Sequence, residues 1–289
     1  MVRAKPTLPN LIIIGAAKCG TTSLHNHLAL HPDIFMSKKK ELYFFDGLTW
    51  DRGLDWYKSN FDASYPINGE SSTRYTHHPL LPGVPQKIRR YLGTPKLIYV
   101  LRDPVERILS NYTQNVDDWP NTPPFDQLLP CIEQATAGYV QVSSYFHQLS
   151  EYFKVFPRES ILVLVSERFS AQPRETLRRV FRFIGVNENF WRDEFAQRAN
   201  AGEGKRAAGE WFANYAPQSL KDHASRRDTG LHWRLKQALY RISRIAGEPI
   251  AKPDITEAED LRLQDLLKAD VAALKDLLND PLPEWRPYT

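Results

Sequence analysis

The stretch from Leu11 to Leu30, LIIIGAAKCGTTSLHNHLAL, constrains the fold more than any other part of the chain. A β-branched apolar run ends at Gly15, a small-residue loop follows with Lys18 inside it, and Gly20-Thr21-Thr22 opens a helical pattern. Strand, tight turn and helix N-terminus in that order make a cradle for an anion. The loop N–H groups point at the ligand, and the helix dipole adds about half a positive charge. The spacing is not that of a nucleotide triphosphatase, which wants lysine directly after the second glycine. Thr21 stands in that place. The lysine therefore addresses a different part of whatever is bound.

Length and composition bound the rest. At 289 residues the chain can bury the core of one large α/β domain. The predicted organisation is a single domain over 1–289, with an N-terminal tail at 1–9, a loop region at 200–230 and a helical C-terminal part at 231–289. A net charge of +4 leans towards anionic ligands. Two cysteines, Cys19 and Cys131, build no disulfide framework. The opening residues MVRAKPTLPN lack an apolar leader core, and no segment approaches the length of a membrane span. Stable membrane insertion is thus not expected, and a reducing, cytoplasmic setting is the expectation. No basic helix, zinc finger or RNA-binding signature points to nucleic acid.

Apolar runs and helical periodicity alternate along the chain. Pro66 to Ser72 reads as a short strand ending in polar residues, and Pro95 to Leu101 and Ser160 to Ser166 as buried strands. Helices are expected over Gly53 to Phe61, Pro85 to Leu92, Asp103 to about Asn115, Val142 to Phe156, Pro173 to Ile184 and Ala258 to Leu278. Residues 119–130, WPNTPPFDQLLP, read as a proline-rich surface loop. Alternation of this kind predicts an α/β fold with a central parallel sheet flanked by helices, its ligands at the carboxyl ends of the strands. The Lys18 loop, Glu70 and Arg102 all fall at such ends.

Two motifs in order carry a resemblance: IIIGAAKCGTTSL with HPDIF, and KLIYVLRDPVERILSNYTQ. Together they resemble the sulfotransferases that use 3′-phosphoadenosine 5′-phosphosulfate (PAPS), and most of all the heparan sulfate N- and 3-O-sulfotransferase branch. KKELYFFDG, GLDWY, GESSTRY, ILVLVSERF and the terminal LPEW fit as well. The resemblance is good from Leu11 to about Val186 and thin beyond, and the cysteine-bracketed hairpin of the eukaryotic relatives is missing. A bacterial, cytoplasmic version is what it implies.

PAPS presents a 5′-phosphosulfate and a separate 3′-phosphate, so two anion sites are needed. By resemblance, Lys18, Cys19, Gly20, Thr21, Thr22 and Ser23 cradle the 5′-phosphate in a P-loop-like strand-loop-helix. Cys19 supplies only backbone there, and Lys18 stabilises the leaving phosphate as the sulfuryl group departs. Arg102 and Ser110 hold the 3′-phosphate; an arginine before Asp-Pro also reads as an ion-pair partner at a helix start. Lys205 and Arg206 resemble a late basic loop closing over that phosphate, or form a solvated loop. Glu70 is the candidate general base, with His77 and His78 as rivals.

The reaction implied is in-line transfer of a sulfuryl group to a hydroxyl or amine of a saccharide, glycolipid or small-metabolite acceptor, releasing adenosine 3′,5′-bisphosphate. No metal is implied, since no His/Cys cluster has ligand spacing. A P-loop kinase or triphosphatase, and a non-catalytic binding protein of the same fold, are the alternatives. Acceptor identity and oligomeric state are not written in the motifs.

Overall fold

The computed structural model describes residues 7–118, 122–134, 138–196 and 251–288. The described residues divide into two compact units. Residues 7–107, 140–196 and 261–288 belong to the first, and 108–118, 122–134, 138–139 and 251–260 to the second.

The first unit holds a five-stranded sheet in the order β2-β3-β1-β4-β5. Its strands are β1 (Leu11–Gly15), β2 (Ile34–Met36), β3 (Ile67–Ser71), β4 (Lys96–Leu101) and β5 (Ile161–Val165). Every pairing is parallel. All five residues of β1 and of β5 are buried, which is why they read as unbroken apolar runs: a parallel sheet is covered on both faces. From β1 the chain leaves towards the β2 edge, and from β4 towards the β5 edge. The carboxyl ends of β1 and β4 therefore flank the point where the winding reverses, which is where doubly wound sheets take their ligands.

Among the described residues, helices run over α1 (Thr21–Leu28), α2 (Gly53–Lys58), α3 (Val84–Leu92), α4 (Pro104–Asp118), α5 (Phe125–Leu128), α6 (Tyr139–Ser143), α7 (Tyr145–Phe153), α8 (Ser166–Ala171), α9 (Pro173–Ile184) and α10 (Glu257–Leu278). Two expectations are corrected here. The helix expected over Val142 to Phe156 is two, because Ser144 leaves helical geometry at φ −79°, ψ 78°. The Asp270 carboxylate then accepts from Phe146 N and His147 N at 2.9 Å each and restarts the chain as α7. Within 119–130, Phe125–Leu128 forms the short helix α5 just after the prolines rather than loop.

Two histidines of α1 serve the core. His25 Nδ1 meets Ser71 Oγ at 2.9 Å, and burial followed by the charge of Lys40 pushes its pKa down to about 4. His27 packs edge-on against Phe169 with ring centroids 5.7 Å apart. No helix of the described residues is long and apolar enough to cross a membrane.

Candidate active site

Three strand ends build the site. At the end of β1, Ala16 N donates to Val100 O at 2.8 Å, so the loop leaves the sheet directly beside β4. Gly15 is required by packing, since a Cβ there would lie 2.2 Å from Thr76 Oγ1 and 2.8 Å from the Tyr99 ring. The loop then turns through two left-handed residues, Lys18 at φ 72° and Gly20 at φ 87°. Gly20 accepts that conformation at no cost, while Lys18 stores strain of the kind found in anion-binding turns.

Gly20 is the N-cap of α1, no side chain caps that terminus, and its first turn carries no acidic residue. The first-turn N–H groups and the dipole thus meet no acidic side chain of α1's own first turn. Thr21 is buried, Thr22 exposed and Ser23 in between, a graded set of hydroxyls on that turn. These features fit a bound phosphate group.

The loop is held from beneath. Arg107, only 1% exposed, donates from Nε to Ala17 O at 3.3 Å and from Nη1 to Ser143 Oγ at 2.8 Å. Cys19 Sγ lies 3.5 Å from the Tyr145 hydroxyl, and burial pushes its thiol up to about 11. That thiol is packing rather than chemistry.

Arg102 follows β4, and its guanidinium donates to Glu106 Oε2 at 3.0 Å with 31% of the side chain exposed. Asp103 is taken otherwise. Its Oδ1 caps α4 by accepting from Glu106 N at 2.9 Å, and Pro104 occupies the first helical position. Ser110 lies half-buried on α4, in the second unit. Lys205 and Arg206 lie outside the described residues.

Glu70, at the end of β3, is fully buried at 0% exposure. Its carboxylate accepts from Tyr57 OH at 2.5 Å, Tyr75 OH at 3.1 Å and Ser72 Oγ at 2.8 Å. Burial outweighs these three donors and pushes its pKa up to about 7. Those hydroxyls in turn accept four successive backbone N–H groups. Ser72 Oγ takes Leu42 and Tyr43 at 3.2 Å each, and the Tyr75 hydroxyl takes Phe44 and Phe45 at 3.1 and 3.2 Å. Glu70 is therefore the hub that shapes the 42–45 backbone.

The expected base Glu70 is thus a carboxyl with no exposed surface that already accepts from three hydroxyls. The carboxylate that does reach the surface is Glu41, one residue before the segment Glu70 holds. Its side chain is 22% exposed, Lys40 pairs with one of its oxygens, and Thr73 N donates to the other at 3.0 Å. Ser37 N to Gly69 O at 2.8 Å prolongs the β2–β3 ladder and carries residues 37–41 along the end of β3.

The sequence signal for Glu41 was masked by the lysine run it closes, which reads as a solvated face. Of the histidine rivals, His78 Nδ1 faces His147 Nε2 at 2.9 Å. Burial, then Arg107 and Arg74, pushes the His77 pKa down to about 3, too low for an effective base near neutrality. Among the described residues no group of three or more His, Cys, Asp or Glu is arranged to hold a metal ion.

A parallel sheet with an uncapped strand-loop-helix cradle on one strand and a partly exposed arginine at the end of the next is an α/β arrangement whose features fit a ligand with phosphate groups. The sequence profile of the sulfotransferase domain family matches residues 8–203, and the chain belongs to that family.

Among curated relatives, human heparan sulfate glucosamine 3-O-sulfotransferase 3B1 is 33% identical over 187 residues, covering 62% of this chain and 46% of the relative. Human heparan sulfate glucosamine 3-O-sulfotransferase 5 is 30% identical over 190 residues, covering 62% of this chain and 54% of the relative. The chain thus spans about half the length of the curated relatives it matches.

Among solved structures, a sulfotransferase from Alicyclobacillus acidocaldarius superposes with a TM-score of 0.69 at 25% identity, over 96% of this chain and 98% of that one. A mouse sulfotransferase complexed with PAP, at 14% identity and a TM-score of 0.50 over 96% of this chain and 90% of that one, shares the fold.

Proposed function

We propose that the protein transfers a sulfuryl group from PAPS to a hydroxyl or amine of a saccharide acceptor, or of a glycolipid or small metabolite of similar polarity. The observation that carries this is the adjacency of the Lys18 loop and Arg102 at the ends of neighbouring strands β1 and β4. One end suits the 5′-phosphosulfate and the other the 3′-phosphate. The names of the relatives, which act on a heparan sulfate glucosamine, support a saccharide over the other acceptor classes.

In this reading the N–H groups of 19–23 and the hydroxyls of Thr21, Thr22 and Ser23 bind the 5′-phosphate. Lys18 holds the bridging oxygen as the sulfur–oxygen bond breaks, a donor aimed where charge develops. Arg102 takes the 3′-phosphate through charge-assisted hydrogen bonds. Glu41 accepts the acceptor's proton as its oxygen or nitrogen bonds to sulfur, leaving adenosine 3′,5′-bisphosphate with the bridging oxygen. Glu70 acts one step removed, by fixing the backbone that presents Glu41.

The test is transfer of labelled sulfate from PAPS to a panel of saccharides and small hydroxylated or aminated acceptors, in wild type, Glu41→Gln and Glu70→Gln. Glu41→Gln is expected to lower kcat by about 100-fold or more, the usual worth of a positioned base, with KM for PAPS unchanged. A Glu41→Gln enzyme as fast as wild type would remove Glu41 from the mechanism. Tight ATP binding with no response to the bisphosphate would instead favour a kinase.

A further inference from the structure

The Arg102 end of the site is braced by a segment almost two hundred residues later in the chain. After α10, residues 279–288 are tied down beside the ends of β4 and β5 at several points. Arg168 binds both carboxylate oxygens of Asp280 and both of Glu284. Glu167 accepts Asp103 N at 2.9 Å through one oxygen and the Trp285 indole N–H at 3.4 Å through the other. Arg286 donates from Nη1 to Asp103 Oδ1 at 2.7 Å and from its backbone N to Asp103 Oδ2 at 2.9 Å. Its Nη2 reaches Glu106 Oε1 at 3.1 Å, while the other oxygen of Glu106 accepts Arg102 Nη2 at 3.0 Å. One carboxylate is thereby shared by two guanidiniums.

That sharing matters electrostatically. Asp103, at the cap, and Glu106, in the first turn, put two negative charges at the start of the helix that follows Arg102, beside the place where a second phosphate would arrive. Left to themselves they would repel a phosphate and clamp Arg102 through both oxygens of Glu106, the strong bidentate arrangement. Arg286 occupies one of those oxygens and covers Asp103.

We propose that Arg286 is a positioning residue for the 3′-phosphate subsite: by engaging Asp103 and Glu106 it loosens the Arg102–Glu106 pair and frees Arg102 for a phosphate. The inference rests on the donor reading given above and adds to it a residue that touches no substrate.

The experiment compares the Kd of adenosine 3′,5′-bisphosphate with that of adenosine 5′-phosphate by calorimetry, the ratio reporting the 3′-phosphate alone. Wild type is expected to prefer the bisphosphate by about 100-fold. Arg286→Gln should cut that preference about tenfold, the scale of one charge-assisted bond, while leaving adenosine 5′-phosphate binding unchanged.

Adding Glu106→Gln to Arg286→Gln should restore the preference, because the competing charge is gone. Tyr288→Phe loosens the same segment by removing the hydroxyl that accepts Val105 N at 3.2 Å, without altering charge, and should keep the wild-type ratio. Arg286→Lys keeps a charge but reaches one carboxylate rather than two; its ratio should fall between wild type and Arg286→Gln, and it serves if the glutamine variant does not fold.

An unchanged ratio in Arg286→Gln, or equal loss of both ligands, overturns the proposal. A wild type that binds the two nucleotides equally overturns the donor reading as well.

Discussion

Glu70 carries a titration that the folded protein should report. Burial raises its pKa from 4.5 to about 7, so the native state keeps a proton that the unfolded chain has already lost. Between those values the native state binds more protons at this group, and its contribution to stability falls as pH rises. The full penalty is present above pH 7 and absent below 4.5, on the order of 3 kcal/mol at 1.36 kcal/mol per pH unit. The buried His25 and His77 titrate in the opposite sense over the same range in both proteins, so Glu70 shows in the difference: the urea midpoint of wild type relative to Glu70→Gln should decline from pH 4.5 to 7. Parallel curves for the two proteins would mean that Glu70 is ionised throughout.

The same residue marks the limit of motif reading. A glutamate ending a strand beside an anion loop was visible in the sequence. Its three hydroxyl partners come from Tyr57, thirteen residues before it, and from Ser72 and Tyr75 after it. Only the fold brings them together and makes this glutamate the centre of a hydrogen-bond network. Glu41 was hidden for the opposite reason, since its neighbours in the chain, KKKELYFF, announce charge and packing rather than chemistry.

At the scale of elements, legibility followed burial. Strands β1, β4 and β5 were plain because each is an apolar run buried on both faces. Strand β2, three residues long, has too little pattern to register, and α6 and α7 merge because apolar periodicity continues across Ser144. Gly15 carries a testable consequence of the tightest junction, where β1 meets Thr76 and Tyr99. A methyl group 2.2 Å from Thr76 Oγ1 overpacks a closed site, so Gly15→Ala should cost about 1–3 kcal/mol. Combining it with Thr76→Ala removes the nearest clash but leaves the ring at 2.8 Å, and should recover part of the loss. Thermal melts of the single and double variants measure both, and an unshifted Gly15→Ala melt would refute the close approach.

On the scale of the whole chain, the candidate site draws on parts of the sequence that lie far apart, and Arg107 joins three of them. It sits on α4, bonds the loop through Ala17 O ninety residues earlier, and reaches Ser143 thirty-six residues later. A guanidinium suits this post because its planar fork can serve two acceptors in different directions. Arg107→Met keeps the apolar stem but removes this donor from Ser143 and from the Ala17 carbonyl, at about 1.5–3 kcal/mol for each charge-assisted hydrogen bond lost. Arg107→Lys keeps the charge with a single nitrogen and should hold one acceptor, giving a loss between the two. Because Ala17 belongs to the proposed phosphate loop, the loss should appear twice: as a lower urea midpoint at constant m, and as weaker adenosine 5′-phosphate binding in the protein that remains folded. A methionine variant that is less stable yet binds the nucleotide as tightly as wild type would confine Arg107 to the core and leave the loop to hold its own shape.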